Sequence, residues 1–450
     1  MKFTKFGKAL LISALSAGVV VGVSSCVRSY TVGFLYVTGT VTGETANNGI
    51  ISGYKIDHNT GKLTEINGLP VASGGANPIR AVLLSGSRFV YVLNRGVNSA
   101  GTGECSGTSG STLCTGANIE LFAIGANGIL TPQATYYTQG LNPFRMIADS
   151  SGTFLMVLDH DAPDSGTLTG SSNSCTKALG SSTTTCGDVT MFKIDGTTGR
   201  LSTVTNAQVT SASGSTLSYF PVPANPIDFI LNSSNLLTLS GTPAAGDSVY
   251  PYAYSSTTGQ LTASQSSAQT LGISHATGMV VAGGYLYVMD NSNCLSGCSS
   301  TTSQIIPYTV GTGGSLSAQT TGAVQLDSTL GNPSWIIAEA KSKYIYVAAA
   351  GNNRTGSNLA ESGIGGYNIE STSPLTLKAT VPATFGSGSG PQCIVEDPSD
   401  QFIYTANYND STVTGRLVDP NAGILSSLKS TSTFKLSGPP TWCFVDGRTN

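Results

Sequence analysis

A single plan recurs along this chain: Asn-Pro or Gly-Pro, an apolar run, a short polar turn, then a run rich in Tyr and Phe. It reads NPIRAVLLSGSRFVYVLN at 77–94, NPFRMIADSSGTFLMVLD at 142–159 and NPIDFILNSSNLLTLSG at 225–241. It returns as NPSWIIAEAKSKYIYVAAAGN at 332–352 and GPQCIVEDPSDQFIYTAN at 390–407. The nearly continuous apolar half is what a strand buried on both faces looks like. The β-branched and aromatic half is a second strand. After each pair come a variable loop and a hairpin, as in ISGYKIDHNTGKLTEI (51–66) or VTMFKIDGTTGRLSTV (189–204). Alternating apolar residues around a Gly-containing turn mark these as two more strands. The unit is therefore four strands, here lettered a to d, and it occurs seven times. Internal repetition of this kind decides the fold before any other feature does.

The phase of the repeat is as informative as its length. The first strand, FLYVTGT (34–40), is a strand b with no strand a before it. The missing half stands at the far end, in PPTWCFVDG (439–447). A chain that begins and ends partway through one unit is expected to close into a ring by pairing its last strand with its first, which leaves no open edge. The predicted fold is all-β: a seven-bladed β-propeller of four-stranded blades, strands a lining a central channel. A β-helix would show shorter and stricter repeats, and separate sandwiches would not explain the split unit.

The N-terminus stands outside the repeat. Lys2, Lys5 and Lys8 precede the apolar ALLISALSAGVVVGV, followed by VSSC at 23–26. A basic start and a short apolar stretch are a secretory signal, too short for a membrane span. VSSC resembles a bacterial lipobox, which would make Cys26 the lipid-bearing first residue. The expected organisation is a signal peptide at 1–25, a tether at 26–30 and the propeller at 31–450, exported and lipid-anchored in the cell envelope. Loss of residues 1–25 removes three Lys and no acid, taking the net charge from −3 to −6. With no basic run elsewhere, nucleic acid is not an expected partner, because phosphate neutralisation needs clustered Lys and Arg.

Besides Cys26 there are eight Cys. Cys105 with Cys114, Cys175 with Cys186 and Cys294 with Cys298 each share a loop. Cys393 and Cys443 occupy equivalent places in two repeats. An even set in an exported chain favours disulfides. Metal ligation is the competing reading, but there is no CxxC and the three His lie away from these pairs. No cofactor is expected. The long insertions 95–117, 160–187, 291–303 and 351–363 all lie between strands b and c, so they should crowd one face, either as binding loops or as stapled surface insertions.

With RFVYVLN, KYIYVAAAGN, QFIYTAN, the hairpins IDHNTGKL and IDGTTGRL, and GSGPQCIVEDPSDQF, the chain resembles the 6-phosphogluconolactonase-type lactonase family of seven-bladed propellers, and more loosely the YVTN-type repeat proteins. The resemblance covers essentially all of 31–450. It implies the fold, and as an activity the hydrolysis of a sugar lactone, a carboxylic ester hydrolase reaction. Where the family commonly has Gly-Pro-Arg-His, this chain has Gly390-Pro391-Gln392-Cys393, so the resemblance specifies fold more closely than chemistry.

Chemistry is sought at the residue two after the strand-a Pro, which should ring the channel mouth. It reads Arg80, Arg145, Asp228, Trp335, Cys393 and Trp442. The blade GISHATGMVV lacks the Pro and places Ala276, or His275 with a one-residue shift, at that level. Two Arg could clamp an anion or a developing oxyanion. His275 or Asp228 could act as general base on a water. Trp335 and Trp442 offer a face for sugar rings or cations. As structural alternatives, Arg80 and Asp228 could form ion pairs between blades, and the Trp could be core. There is no GxSxG elbow for a Ser nucleophile. Asp57 and His58, in a c–d turn on the opposite face, are not expected to be catalytic. His160 with Asp159, Asp161 and Asp164 could hold a cation or form a solvated loop. Two functions follow: a lactonase-like protein binding or hydrolysing a sugar lactone or related anion at the mouth, or a non-catalytic propeller binding a glycan or protein through its b–c loops.

Overall fold

The computed structural model describes residues 30–41, 48–84, 88–98, 114–180, 183–242, 246–263, 268–291, 303–319, 322–351, 362–370 and 376–447. Cys26, Cys105, Cys294 and Cys298 lie outside them, as do the signal peptide and most of the tether. Seven antiparallel sheets form a seven-bladed propeller. In blade 1 the innermost strand is Pro440–Asp446, paired with Thr31–Thr40, then Asn48–Asp57 and Leu63–Glu65. The ring therefore closes between the two ends of the chain, with Tyr36 opposite Phe444 and Thr38 opposite Trp442. Blades 2 to 7 follow in order, their strands a being Pro78–Leu83, Leu141–Ala148, Pro226–Asn232, Ala276–Ala282, Pro333–Ala338 and Pro391–Glu396.

The recurring Asn-Pro is a backbone device. Asn77, Asn142, Asn225 and Asn332 have φ of 49–60°, and Gly390 has φ 68°. Asn and Gly tolerate this left-handed conformation, which turns the chain from strand d of one blade into strand a of the next. Directly after the Pro every strand a carries a bulge: Pro78 pairs with Asn94 and Arg80 with Leu93, so Ile79 has no partner opposite. The same shift occurs in the other six blades.

The aromatic strands b latch the blades together. Tyr36, Tyr91, Tyr346 and Tyr404 are fully buried. Their hydroxyls donate to the carbonyls of Gly128, Gly199, Gly423 and Gly61, each in the c–d turn of the next blade. Those four glycines have positive φ, and a Cβ on any of them would come closer than 3.0 Å to an aromatic ring of the preceding blade. The Asp of the IDxxTG hairpin shapes the same turn: Asp57 Oδ1 accepts from the Asn59 and Thr60 amides, and Asp195 Oδ1 from those of Thr197 and Thr198. Apolar clusters fill the spaces between blades; the largest joins blades 7, 1 and 2 across the closure.

Two disulfides lie wholly within the described residues, Cys175–Cys186 and Cys393–Cys443, and Cys114 is also disulfide-bonded. Cys393 and Cys443 stand on neighbouring strands a with Cα atoms 6.0 Å apart, so the bond staples blade 7 to the closing blade.

Candidate functional site at the channel mouth

The bulge after each Pro turns seven consecutive-blade side chains into the mouth of the channel. Ile79, Phe144, Ile227, Thr277, Ser334, Gln392 and Thr441 all line one cavity of about 440 Å³, together with Arg80, Arg95, Arg145, Asn332 and Tyr408. Its wall is uneven. Blades 2 and 3 contribute three guanidinium groups; blades 6, 7 and 1 contribute amides and hydroxyls.

Beneath the mouth the ring is not symmetric. Trp335 and Trp442 meet edge to face with centroids 4.6 Å apart. They sit two blades apart, and the residue between them in the ring is Cys393, too small to separate them. Trp335 also comes within 5.5 Å of the Arg145 guanidinium, three blades away, so its indole reaches across the axis behind the lining residues. The mouth is a cup rather than an open tunnel.

Arg80 rests against both indoles, its guanidinium carbon 4.0 Å from the Trp442 centroid and 4.8 Å from that of Trp335. Cation–π attraction of a desolvated guanidinium is worth about 2 kcal/mol. Nη1 donates to the Ile79 carbonyl at 2.6 Å, and Nε is buried with no hydrogen-bond partner. Burial, then Arg145, lower its proton affinity, partly offset by Asp228. Guanidinium nonetheless stays charged in proteins. Among the described residues it has no carboxylate partner.

Arg145 differs. Its Nε lies 3.3 Å from Asp228 Oδ1, an ion pair whose N–H is not squarely aligned for a hydrogen bond. Asp228 Oδ2 accepts from the Met279 amide at 2.9 Å. Burial still raises the Asp228 pKa and lowers that of Arg145, despite their mutual attraction. Desolvation therefore outweighs pairing here, as is common for buried pairs, and the surrounding fold holds the charges in place.

Two further groups border the mouth. His160 stacks flat on Phe144 with centroids 3.7 Å apart. Its Nε2 is 3.5 Å from Arg95 Nη2. Burial first, then Arg95 and Arg145, push its pKa down to about 3, so the imidazole is neutral.

The structure brings together Arg80, Arg145, Asp228, Trp335 and Trp442, and corrects three expectations. First, Gly278 holds the ring position of blade 5: Gly278 pairs with Met289 as Arg80 pairs with Leu93, and Ala276 takes the place of the Pro. His275 falls at the level of the left-handed Asn residues, off the ring, and its carbonyl accepts from the Asn291 amide. Second, the residues around His160 form neither a cation site nor a solvated loop. Asp164 accepts from the Ser174 amide and hydroxyl, Asp161 from Asn142 at 3.4 Å, and Asp159 is buried beside Asp188. Among the described residues no three such side chains are grouped to hold a metal. Third, the mouth is lined by the residues directly after the Pro and by Arg95, with His160 standing behind Arg95 outside the lining.

A family model described as "Lactonase, 7-bladed beta-propeller" matches residues 297–441. Comparison with curated proteins finds no match. Solved structures match over nearly the whole chain. A 6-phosphogluconolactonase candidate from Bacteroides uniformis is 12% identical, with TM-score 0.62, covering 92% of this chain and 99% of that one. The periplasmic gluconolactonase of Pseudomonas aeruginosa is 14% identical, with TM-score 0.60, covering 92% and 99%. A hypothetical selenium-binding protein from Sulfolobus tokodaii is 9% identical, with TM-score 0.59, covering 94% and 95%. At these identities the likeness is one of fold. The chain is thus a seven-bladed β-propeller from its first strand to its last, similar to the lactonase family in sequence over residues 297–441.

Proposed function

We propose that the channel mouth binds a small monoanion of the sugar-acid class, or the lactone from which such an acid derives. The observation that carries this is Arg80: a guanidinium packed against two indoles, at the wall of the cavity, with no carboxylate partner among the described residues. Asp228 balances Arg145, which leaves the positive charge of Arg80 for a ligand. A carboxylate suits such a fork through paired charge-assisted bonds. The amides and hydroxyls of Asn332, Gln392 and Tyr408 face it across the cup and suit the hydroxyls of a sugar acid. The lactonase pattern and the gluconolactonase neighbour point to the same ligand class.

Binding is a better-supported reading than hydrolysis. No carboxylate or imidazole lines the cavity among the described residues. Asp228 stands behind Arg145 with one oxygen committed to Met279. The expected result in calorimetry is that Arg80→Gln weakens gluconate binding at least tenfold while leaving the thermal transition close to wild type. Glucono-δ-lactone followed by NMR on the same samples reports turnover. Gluconate binding untouched by Arg80→Gln would remove Arg80 from the site.

The disulfides are those of a chain that folds in an oxidising compartment. From VSSC we further propose attachment to the cell envelope through a lipid on Cys26. Mass spectrometry of the mature N-terminal peptide should show a diacylglyceryl cysteine; an unmodified peptide beginning elsewhere would refute the anchor.

A further inference from the structure

We propose that the outer rim between blades 3 and 4 carries a second binding site, independent of the channel mouth, for a neutral saccharide. Two neighbouring cavities, about 400 and 210 Å³, share Leu179 and Tyr250. The larger falls in the size range of small-molecule sites. Tyr250, on strand c of blade 4 (Gly246–Tyr254), is half-buried and lies where the two cavities meet. Pro223 lines one of them, and Pro221 and Pro251 the other.

The lining chemistry selects the ligand. Among the described residues neither cavity is lined by a charged side chain, so a phosphate, carboxylate or ammonium ion would enter without a counter-charge. What the lining offers is an aromatic face, three rigid apolar rings, and neutral hydroxyl and amide groups from Thr183, Asn225, Ser248 and Gln208. A sugar ring presents the complement: apolar C–H faces for Tyr250 and neutral hydroxyls around its edge. Ser240 adds an independent indication. It lines the larger cavity, is 3% exposed, and its Oγ has no hydrogen-bond partner. A buried hydroxyl left unpaired is costly, and a ligand hydroxyl in the cavity would supply the missing partner.

The wall carrying Leu179 is firmly built. It is the helix Ser174–Leu179 in the b–c connection of blade 3. Cys175–Cys186 ties it to strand c, and the Asn173 amide donates to the carbonyls of Asp164, Leu168 and Thr184. Lys177 Nζ bridges to the carbonyls of Thr210 and Ser211 in the adjoining loop. Fixing so many groups costs conformational entropy and leaves a preorganised groove.

Saturation-transfer NMR and calorimetry with cellotriose, maltotriose and N,N′,N″-triacetylchitotriose test this. The expected result is binding of at least one, weakened tenfold or more by Tyr250→Ala and unchanged by Arg80→Gln. Should Tyr250→Ala disturb folding, Thr183→Trp fills the larger cavity from a surface loop and is expected to block the same trisaccharide. No binding of any of the three, or binding indifferent to both groove variants, overturns the proposal.

Discussion

Replacing Cys393 and Cys443 together by alanine is expected to lower the unfolding free energy by about 4 kcal/mol. The two Cys are 50 residues apart in sequence, and the chain-entropy model assigns roughly that value to a closed loop of this length. The location adds to the argument. A propeller has one seam where blades meet without chain continuity at the core, and here it lies around blade 1. The strand pairing of Phe34–Gly39 with Pro440–Asp446 closes that blade. The disulfide then ties its strand a to that of blade 7, with both Cys buried at 0% and 2% exposure. Opening the seam exposes the largest apolar cluster. Urea unfolding of oxidised wild type against the double variant measures the loss. A difference below 1 kcal/mol would mean that strand pairing alone holds the closure.

Stability should also fall as pH rises above about 4, and Asp188→Asn should flatten much of that fall. Asp159 and Asp188 sit opposite each other on strands b and c of blade 3, both fully buried. Thr138 donates to Asp159 at 2.8 Å, and Thr190 stands between the two carboxyls at 3.4–3.5 Å. Asp188 Oδ2 has no partner. Asp161 and Asp164 add negative charge nearby. Burial pushes both carboxyls well above the ordinary range, and like-charge repulsion adds to it, from Asp159 on Asp188 and from Asp161 on Asp159, so the folded protein retains protons here.

The sign follows from linkage. Below the unfolded pKa of about 4 both states are protonated, and the full stability is present. Above it the unfolded chain releases protons that the folded one keeps. Stability then falls by about 1.4 kcal/mol per pH unit for each retained proton, until the folded group itself ionises. Asn mimics the protonated acid and removes one such group. Thermal melts of wild type and variant from pH 4.5 to 8.5 should diverge in slope. Parallel curves would show that this pair ionises in the folded state as freely as in the unfolded one.

Much of this architecture is legible in the sequence because it rests on local, repeated chemistry. Asn-Pro marks the left-handed turn into strand a. The Tyr of RFVYVLN and QFIYTAN, and the Gly of IDxxTG, are the two halves of one inter-blade latch. The two halves meet at four blade junctions among the described residues. The split first unit announces the closure, and Cys393 and Cys443 announce their bond by sharing a repeat position.

The site is less legible because it depends on register and on loops. The bulge after the Pro leaves no residue-type signature, so Ile79, Phe144, Gln392 and their counterparts read as ordinary strand residues. Blade 5 lacks the Pro that sets the phase, so His275 was placed near the ring when Gly278 holds that position. Arg95 follows a strand b yet lines the mouth, and His160, near the end of another, packs on Phe144 beside it. The Asp159–Asp188 pair joins residues 29 apart that only strand pairing brings together. In each case the sequence holds the residue type but not the neighbour that gives it meaning.

The central claim is that one half-buried cation at the mouth, with no carboxylate partner among the described residues, selects a small anion. Calorimetric titration of the mature wild-type domain with gluconate and with glucose at equal concentration tests it most directly. The account predicts saturable one-to-one binding of gluconate, weakening as salt is raised, and at least tenfold weaker binding of glucose. Equal affinity for the neutral sugar, or no binding of gluconate at millimolar concentration, would contradict it.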